Sequence, residues 1–436
     1  MDYQQAQEYL LNIPRFTSKN EPEKTKAFLE QIGDFSKRIP TVHVAGTNGK
    51  GSVCAYLRAG LEANGLKVGL FTSPHLVSMR ERFMIGEEMI SEREFANVFN
   101  YVGTLLEDMH KKEGFSTYHP TFFEYLFFMA CVWFKEKNVD VVVLETGLGG
   151  RLDATNSISS PRVCVITEIG LDHCEYLGNT KELIAAEKAG IIKPGVPVVH
   201  WSKNQPFDGV ILDKAREMGS SAVFVSEENI KNLETFSAGI DFSLKSSYDE
   251  CVKFSLNTSA LYQVENAAVS FETLMLLSNT LTTPLDISKC ISGFSNMKWP
   301  GRMEKIYPNL YIDGGHNEDG IEAFLKSVSY DGCGTRCLLY SAVSDKNIEK
   351  VAGLIKESGL FEKIILCKLD SYRAADMERI SSAFSGAGNI ECYDTVNQGF
   401  SQLVKEAESG VRCYAVGSLY LVGEIKALLL RGNGND

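Results

Sequence analysis

The sequence predicts an α/β protein of two domains, the first carrying a phosphate-binding loop and the second a smaller α/β unit. Three observations carry this. Apolar strand-like runs alternate with amphipathic helical stretches through most of the 436 residues, the pattern of a parallel sheet covered by helices. A glycine-rich segment, HVAGTNGKGS at 43–52, separates a short apolar strand from a helical pattern over 53–64. A turn-rich stretch, SNMKWPG at 295–301, interrupts the alternation, which then begins again. A chain this long exceeds one ordinary core, so the expected division is 1–296 and 297–436.

In the first domain strands are expected at 42–45, 67–71, 140–145, 163–167, 196–200 and 222–225. The run from Asp140 through three valines to Leu144 has no polar face and reads as a strand buried on both sides. Amphipathic helices fit 22–32, with Pro22 in the tolerated first position, and 91–111, 121–137 and 180–192. The Ser- and Lys-rich stretch 227–259 lacks this regularity and reads as an antiparallel insertion or loops. In the second domain strands are expected at 310–313, 337–342, 363–367, 390–393 and 412–416, each followed by a helical pattern. The polar tail 431–436 reads as disordered. Open α/β sheets bind ligands at the carboxyl ends of their strands, which places the site in the cleft between the domains.

A formal charge of −12 argues against general nucleic-acid binding. No apolar run is long enough to span a bilayer, and the N-terminus lacks the basic and apolar regions of a signal peptide. A cytoplasmic location is the expectation. The cysteines are scattered singly through apolar segments and read as free thiols; Cys333 and Cys337 would make half a zinc site, with no second half nearby.

The glycines at 46, 49 and 51 let backbone N–H groups wrap an anion. Lys50 adds a charge for terminal phosphates, and Ser52 offers a hydroxyl to Mg²⁺ at the helix start. The serine stands two residues after the lysine instead of one, which departs from the standard P-loop and points to ATP-dependent ligases. Further candidates sit at strand ends. Ser73, in Thr72-Ser-Pro-His75, offers a hydroxyl to a metal, in a turn suited to a mobile flap. Glu145, with no helix following, suits a nucleotide-bound Mg²⁺. His173 ends the next strand segment, and neighbouring strands ending in Glu145 and His173 suggest a second metal. Lys188 reads by pattern as an ordinary helix lysine. Arg302, directly after the interdomain turn, reaches toward a γ-phosphate, and Asp313 toward ribose hydroxyls.

Taken together, HVAGTNGKGS, TSPH at 72–75, GLGGRLDATN at 147–156, IGLDH at 169–173, EKAGII at 187–192, PGR at 300–302, DGGHN at 313–317 and GSLYLVGE at 417–424 resemble the folylpolyglutamate synthases of the Mur ligase superfamily. Bacterial members often also act as dihydrofolate synthases. The resemblance runs in order over nearly the whole chain. It implies a Mur-ligase-type ATPase domain followed by a Rossmann-like glutamate ligase domain. It implies that Thr47, Asn48, Gly49, Lys50, Gly51, Ser52, Asn266, Arg302 and Asp313 hold ATP. Ser52, Ser73 and Glu145 would bind one Mg²⁺ and His173 a second. Lys188 matches a lysine that the family carbamylates, and His316 would lie near the reacting groups. Thr121, Phe122, Phe123, Glu124, Leu152, Asp153 and Ala154 would line the pterin site. The substrates implied are ATP, L-glutamate and a folate or dihydropteroate, with glutamate joined to the activated carboxylate through an acyl phosphate. A monomer is the expectation, because two domains of one chain already form the cleft. Gly315 replaces the family's usual alanine, and Asn347 its usual aspartate; no firm role is assigned to 344–347.

Overall fold

The computed structural model describes residues 1–13, 20–236, 239–332 and 334–432. Cys333 and tail residues 433–436 lie outside them. The first sheet contains β1 (Thr41–Ala45), β2 (Val68–Phe71), β3 (Phe83–Ile85), β4 (Glu88–Met89), β5 (Val141–Glu145), β6 (Val163–Ile166), β7 (Val198–Trp201) and β8 (Ala222–Val225). Their order is β4-β3-β2-β5-β1-β6-β7-β8, parallel except for β3 and β4 at one end. Every residue of β1 and β5 is buried, as valine-rich strands covered by helices on both faces require.

This order corrects one expectation. Glu145 and His173 do not close neighbouring strands, because the helical crossovers leave β1 between β5 and β6. His173 also lies on the loop beyond β6, in the left-handed region at φ 51°, as cap of the short helix Cys174–Leu177. The strand that does adjoin β5 on its other side is β2, which delivers Ser73.

Residues 227–259 are antiparallel: β9 (Ile230–Phe236), β10 (Gly239–Leu244) and β11 (Val252–Leu256) pair in the order β11-β10-β9. Alternation in β10 and β11 buries Ile240, Phe242, Leu244, Val252, Phe254 and Leu256 in the core that also holds the helix Tyr262–Ser278. That helix is buried nearly all round, polar Gln263, Asn266, Ser270, Glu272 and Thr273 included, and packs on the phosphate-loop helix Lys50–Ala63. Its uniform burial hides the periodicity that a sequence reading relies on.

The helix Ile287–Asn296 precedes the connecting segment that holds Trp299. The second sheet then contains β12 (Glu304–Tyr307), β13 (Leu310–Ile312), β14 (Arg336–Tyr340), β15 (Lys363–Cys367), β16 (Asn389–Tyr393) and β17 (Arg412–Val416), ordered β12-β13-β17-β14-β15-β16. Only β12, an antiparallel edge strand, was not expected. The last helix, Leu419–Gly432, continues through Arg431, correcting the expected start of the tail: the helix formers from Lys426 to Arg431 carry it on past Gly423. Between the units, Trp299 packs on the phosphate-loop helix so closely that a Cβ at Gly51 would stand 3.0 Å from its indole nitrogen.

Candidate functional site

The phosphate loop joins β1 to the helix Lys50–Ala63 at the centre of the first sheet. Gly49 adopts φ 85°, and a Cβ there would lie 2.3 Å from Asn266 Oδ1. The helix has no side-chain cap, whereas the helices begun by Ser91, Thr121 and Asn317 are capped. Its orphan N–H groups are therefore left for an anion. Thr167 Oγ1 donates to the Asn48 carbonyl at 2.6 Å and fixes the loop from β6. Asn266 reaches the helix through Gln263, whose Nε2 donates to Ser52 Oγ at 3.3 Å.

The loop opens onto a cavity of about 240 Å³ between the two units. Ser73, Glu145, His173, Lys188 and Asn266 line it from the first unit, and Arg302, Asp313 and His316 from the second. Glu145 is buried and accepts from the Ser73 N–H at 3.0 Å; burial pushes its carboxyl up, against the pull of Lys50. Such a carboxylate, flanked by the Ser52 and Ser73 hydroxyls on the same cavity wall, is a hard-oxygen set that fits Mg²⁺. Among the described residues no three His, Cys, Asp or Glu side chains converge on one point. A cation here would be completed by phosphate oxygens and water, which is how Mg²⁺ is usually held beside nucleotides. Lys188 is only 3% exposed and donates to the Gly46 carbonyl at 2.7 Å. Burial, reinforced by Lys50, pushes its amine well below the ordinary lysine range.

Across the cleft, Arg302 Nη1 donates to the Gly301 carbonyl at 3.0 Å. Asp313 accepts from the Tyr262 hydroxyl and from the N–H groups of Met303 and Gly315 at 2.8 and 2.7 Å. Its carboxylate thus shapes the turn that presents Arg302 and His316. His316 Nε2 stands 3.4 Å from Asp172 Oδ2, and Lys346 pairs with the same carboxylate. Burial works to raise the Asp172 carboxyl, but His316, Lys346 and His173 together hold it well below the usual range. Burial pushes the His173 imidazole down to about 4, against the attraction of Asp172. Asp172 and Lys346 were not among the expected site residues. Asp172 adjoins His173 in IGLDH, and Lys346 lies in the stretch 344–347 that was left without a role.

A second cavity, about 910 Å³, shares Ser73, Pro74, Gly147, Leu148 and Leu177 with the first. Thr121, Phe122, Phe123, Glu124, Leu152, Asp153 and Ala154 all line it. Their chemistry differs. Thr121 caps the helix Phe122–Glu136, and Glu124 closes the capping box while accepting from Asn20 and Thr25. Asp153 Oδ2 accepts from the N–H groups of Gly147 and Leu148, both at 2.9 Å, and so sets the glycine turn. Phe122, Phe123 and the exposed Leu152 supply apolar surface for a planar ring. Arg373 and Tyr420 of the second unit stand in both cavities. Tyr420 lies in the GSLYLVGE motif at 417–424 but was given no role there, and Arg373 lies in no motif.

Residues 44–274 match the Mur ligase middle domain and 301–419 the Mur ligase glutamate ligase domain. A dihydrofolate synthase/folylpolyglutamate synthase of Bacillus subtilis (strain 168) is 33% identical, covering 98% of this chain and 99% of its own. The chain belongs to the folylpolyglutamate synthase/dihydrofolate synthase family of Mur ligases. Solved structures agree. The apo form of L. casei folylpolyglutamate synthase superposes with a TM-score of 0.85 at 27% identity, covering 99% of this chain and 100% of that one. Mycobacterium tuberculosis folylpolyglutamate synthase complexed with ADP and AMPPCP gives 0.86 at 25%, covering 98% of each chain. The two-domain ligase architecture expected from the sequence is therefore the observed one, and ATP and Mg²⁺ use follow from the family. No helix among the described residues of this ligase is long and apolar enough to cross a membrane.

Proposed function

We propose that this ligase adds L-glutamate to folates in an ATP-dependent reaction, and that it also accepts dihydropteroate. The observation that carries the reading is the junction of the two cavities at Ser73, Pro74, Gly147 and Leu148. It lets a carboxylate extend from the aromatic cavity to the phosphate loop. The loop N–H groups and Lys50 hold the ATP phosphates, and Arg302 neutralises charge developing on the transferred group. The folate carboxylate takes the γ-phosphoryl group, giving an acyl phosphate and ADP. The glutamate amine attacks the acyl carbon, and phosphate leaves as the amide forms. Ser52, Ser73 and Glu145 would hold one Mg²⁺ and His173 would help hold a second. Bound there, Mg²⁺ supplies charge neutralisation at the phosphates. The depressed amine of Lys188 supports carbamylation, because only a neutral amine adds to CO₂. Both walls of the cleft come from one chain, which supports a monomer, and the scattered free thiols support a cytoplasmic location. The domain division at 296–297 belongs to the same reading.

Phosphate release is measured with ATP and glutamate plus either dihydropteroate or tetrahydrofolate. Turnover with tetrahydrofolate is expected, and turnover with dihydropteroate adds the second activity. Lys50→Ala is expected to lower the rate at least about 100-fold with an unchanged circular dichroism spectrum. Near-wild-type turnover would remove Lys50 from the mechanism.

A further inference from the structure

We infer that Asn48 and Asn317 form an interdomain latch that ties the position of the phosphate loop to closure of the second unit over it. The two side-chain amides meet head to head. Asn48 Nδ2 donates to Asn317 Oδ1 at 3.2 Å, and Asn317 Nδ2 donates to Asn48 Oδ1 at 3.0 Å. A reciprocal pair of this kind needs a donor and an acceptor on each partner, which among side chains of this shape only the amide supplies.

Each partner is anchored separately in its own unit. Asn48 stands directly before Gly49 and Lys50. Its Nδ2 also reaches Glu168 Oε2 at 3.1 Å, and its carbonyl is held by Thr167. The side chain is thus committed to protein partners, and its influence on the nucleotide runs through the loop it positions. Asn317 follows His316 and caps the helix Glu318–Ser329, accepting from the Gly320 N–H at 2.8 Å. Movement of the second unit relative to the first therefore strains the loop and the His316 turn together.

Charge pairs cross the same seam: Asp172 with Lys346, and Lys181 with Asp319 at 2.8 Å. Such pairs tolerate changes of angle, whereas two opposed amide hydrogen bonds hold only in near-linear register. The charges draw the units together, and the amide pair sets where they stop. Asn48 and Asn317 are positioning residues in this scheme.

The test compares Asn48→Ala, Asn317→Ser and the double variant in the full chain. Serine at 317 keeps a helix cap while removing the amide. Each single variant is expected to lower kcat about tenfold, to shift the KM for ATP by less than about threefold, and to combine in the double variant without further loss. Wild-type kcat, or losses that multiply, overturns the latch. X-ray scattering in ADP and MgCl₂ reads closure without turnover, so it stands even if the folate assignment fails. A larger radius of gyration in both single variants is expected, and radii equal to wild type overturn the proposal. Should Asn317→Ser melt below the assay temperature, Asn317→Thr, which also keeps a helix cap and lacks the amide, replaces it with the same expectations.

Discussion

Two lysines share one carbonyl: Lys50 and Lys188 both donate to Gly46 O, at 3.0 and 2.7 Å. Lys50 could be assigned from its loop, since the glycines around it have no other common purpose. Lys188 could not, because its helix spacing is that of any surface lysine and its burial comes from a strand end far away in sequence. His43 makes the same point below the loop. It is wholly buried; its Nε2 meets Thr155 Oγ1 at 2.8 Å, and its Nδ1 finds no partner among the described residues. Burial, with repulsion from Lys193, pushes its imidazole from 6.5 down to about 3. The folded chain therefore refuses a proton that the unfolded chain accepts, so this contribution to stability is complete above pH 6.5 and lost as pH falls toward about 3. The slope is at most about 1.4 kcal/mol per pH unit. His43→Gln, which keeps a donor for Thr155, should flatten the dependence of the urea midpoint on pH across this window. An unchanged slope would show that His43 is not the group responsible.

At the scale of elements, the helix Lys50–Ala63 starts without a side-chain cap, and Gly49 explains how: φ 85° turns the chain from the loop beside the cavity into the helix. A side chain at 49 has no room, with Asn266 Oδ1 2.3 Å from the Cβ position. Gly49→Ala is expected to cost roughly 1–3 kcal/mol of stability and to weaken ADP binding, as read by denaturant unfolding and calorimetry. Unaltered ADP affinity would mean the loop can relax without this geometry. Most strands of both sheets were legible because short apolar runs, valine-rich in the first sheet and mixed aliphatic and aromatic in the second, are bounded by turns. The helix Tyr262–Ser278 was not, because buried residues on every face erase the helical period. The strands β3, β4 and β12 at the sheet margins escaped notice for a different reason: they are two to four residues long, and β4 and β12 carry charged residues in place of an apolar run.

For the whole molecule, the cleft matters more than either unit. Trp299 seats the connecting segment on the phosphate-loop helix, and Tyr262 reaches from the first unit to Asp313 of the second. Nucleotide bound between them should stabilise both units together. At 100 times its dissociation constant, ADP with MgCl₂ is expected to add about 2.7 kcal/mol to a single unfolding transition followed by calorimetry. Two transitions, with only one of them shifted by nucleotide, would show that the units bind it without cooperating.

The sequence by itself determined the alternation of strands and helices, the phosphate loop and the family's motifs, because each depends on residues adjacent in the chain. Only the tertiary structure decided which strand ends adjoin. It put β1 between Glu145 and the His173 loop, set Ser73 beside Glu145, and brought Asp172 against Lys346 and His316. It also paired Asn48 with Asn317. Strand order follows from how crossovers pack over both sheet faces, and contacts across a cleft follow from how two cores dock. Neither is encoded in the local period of the residues concerned.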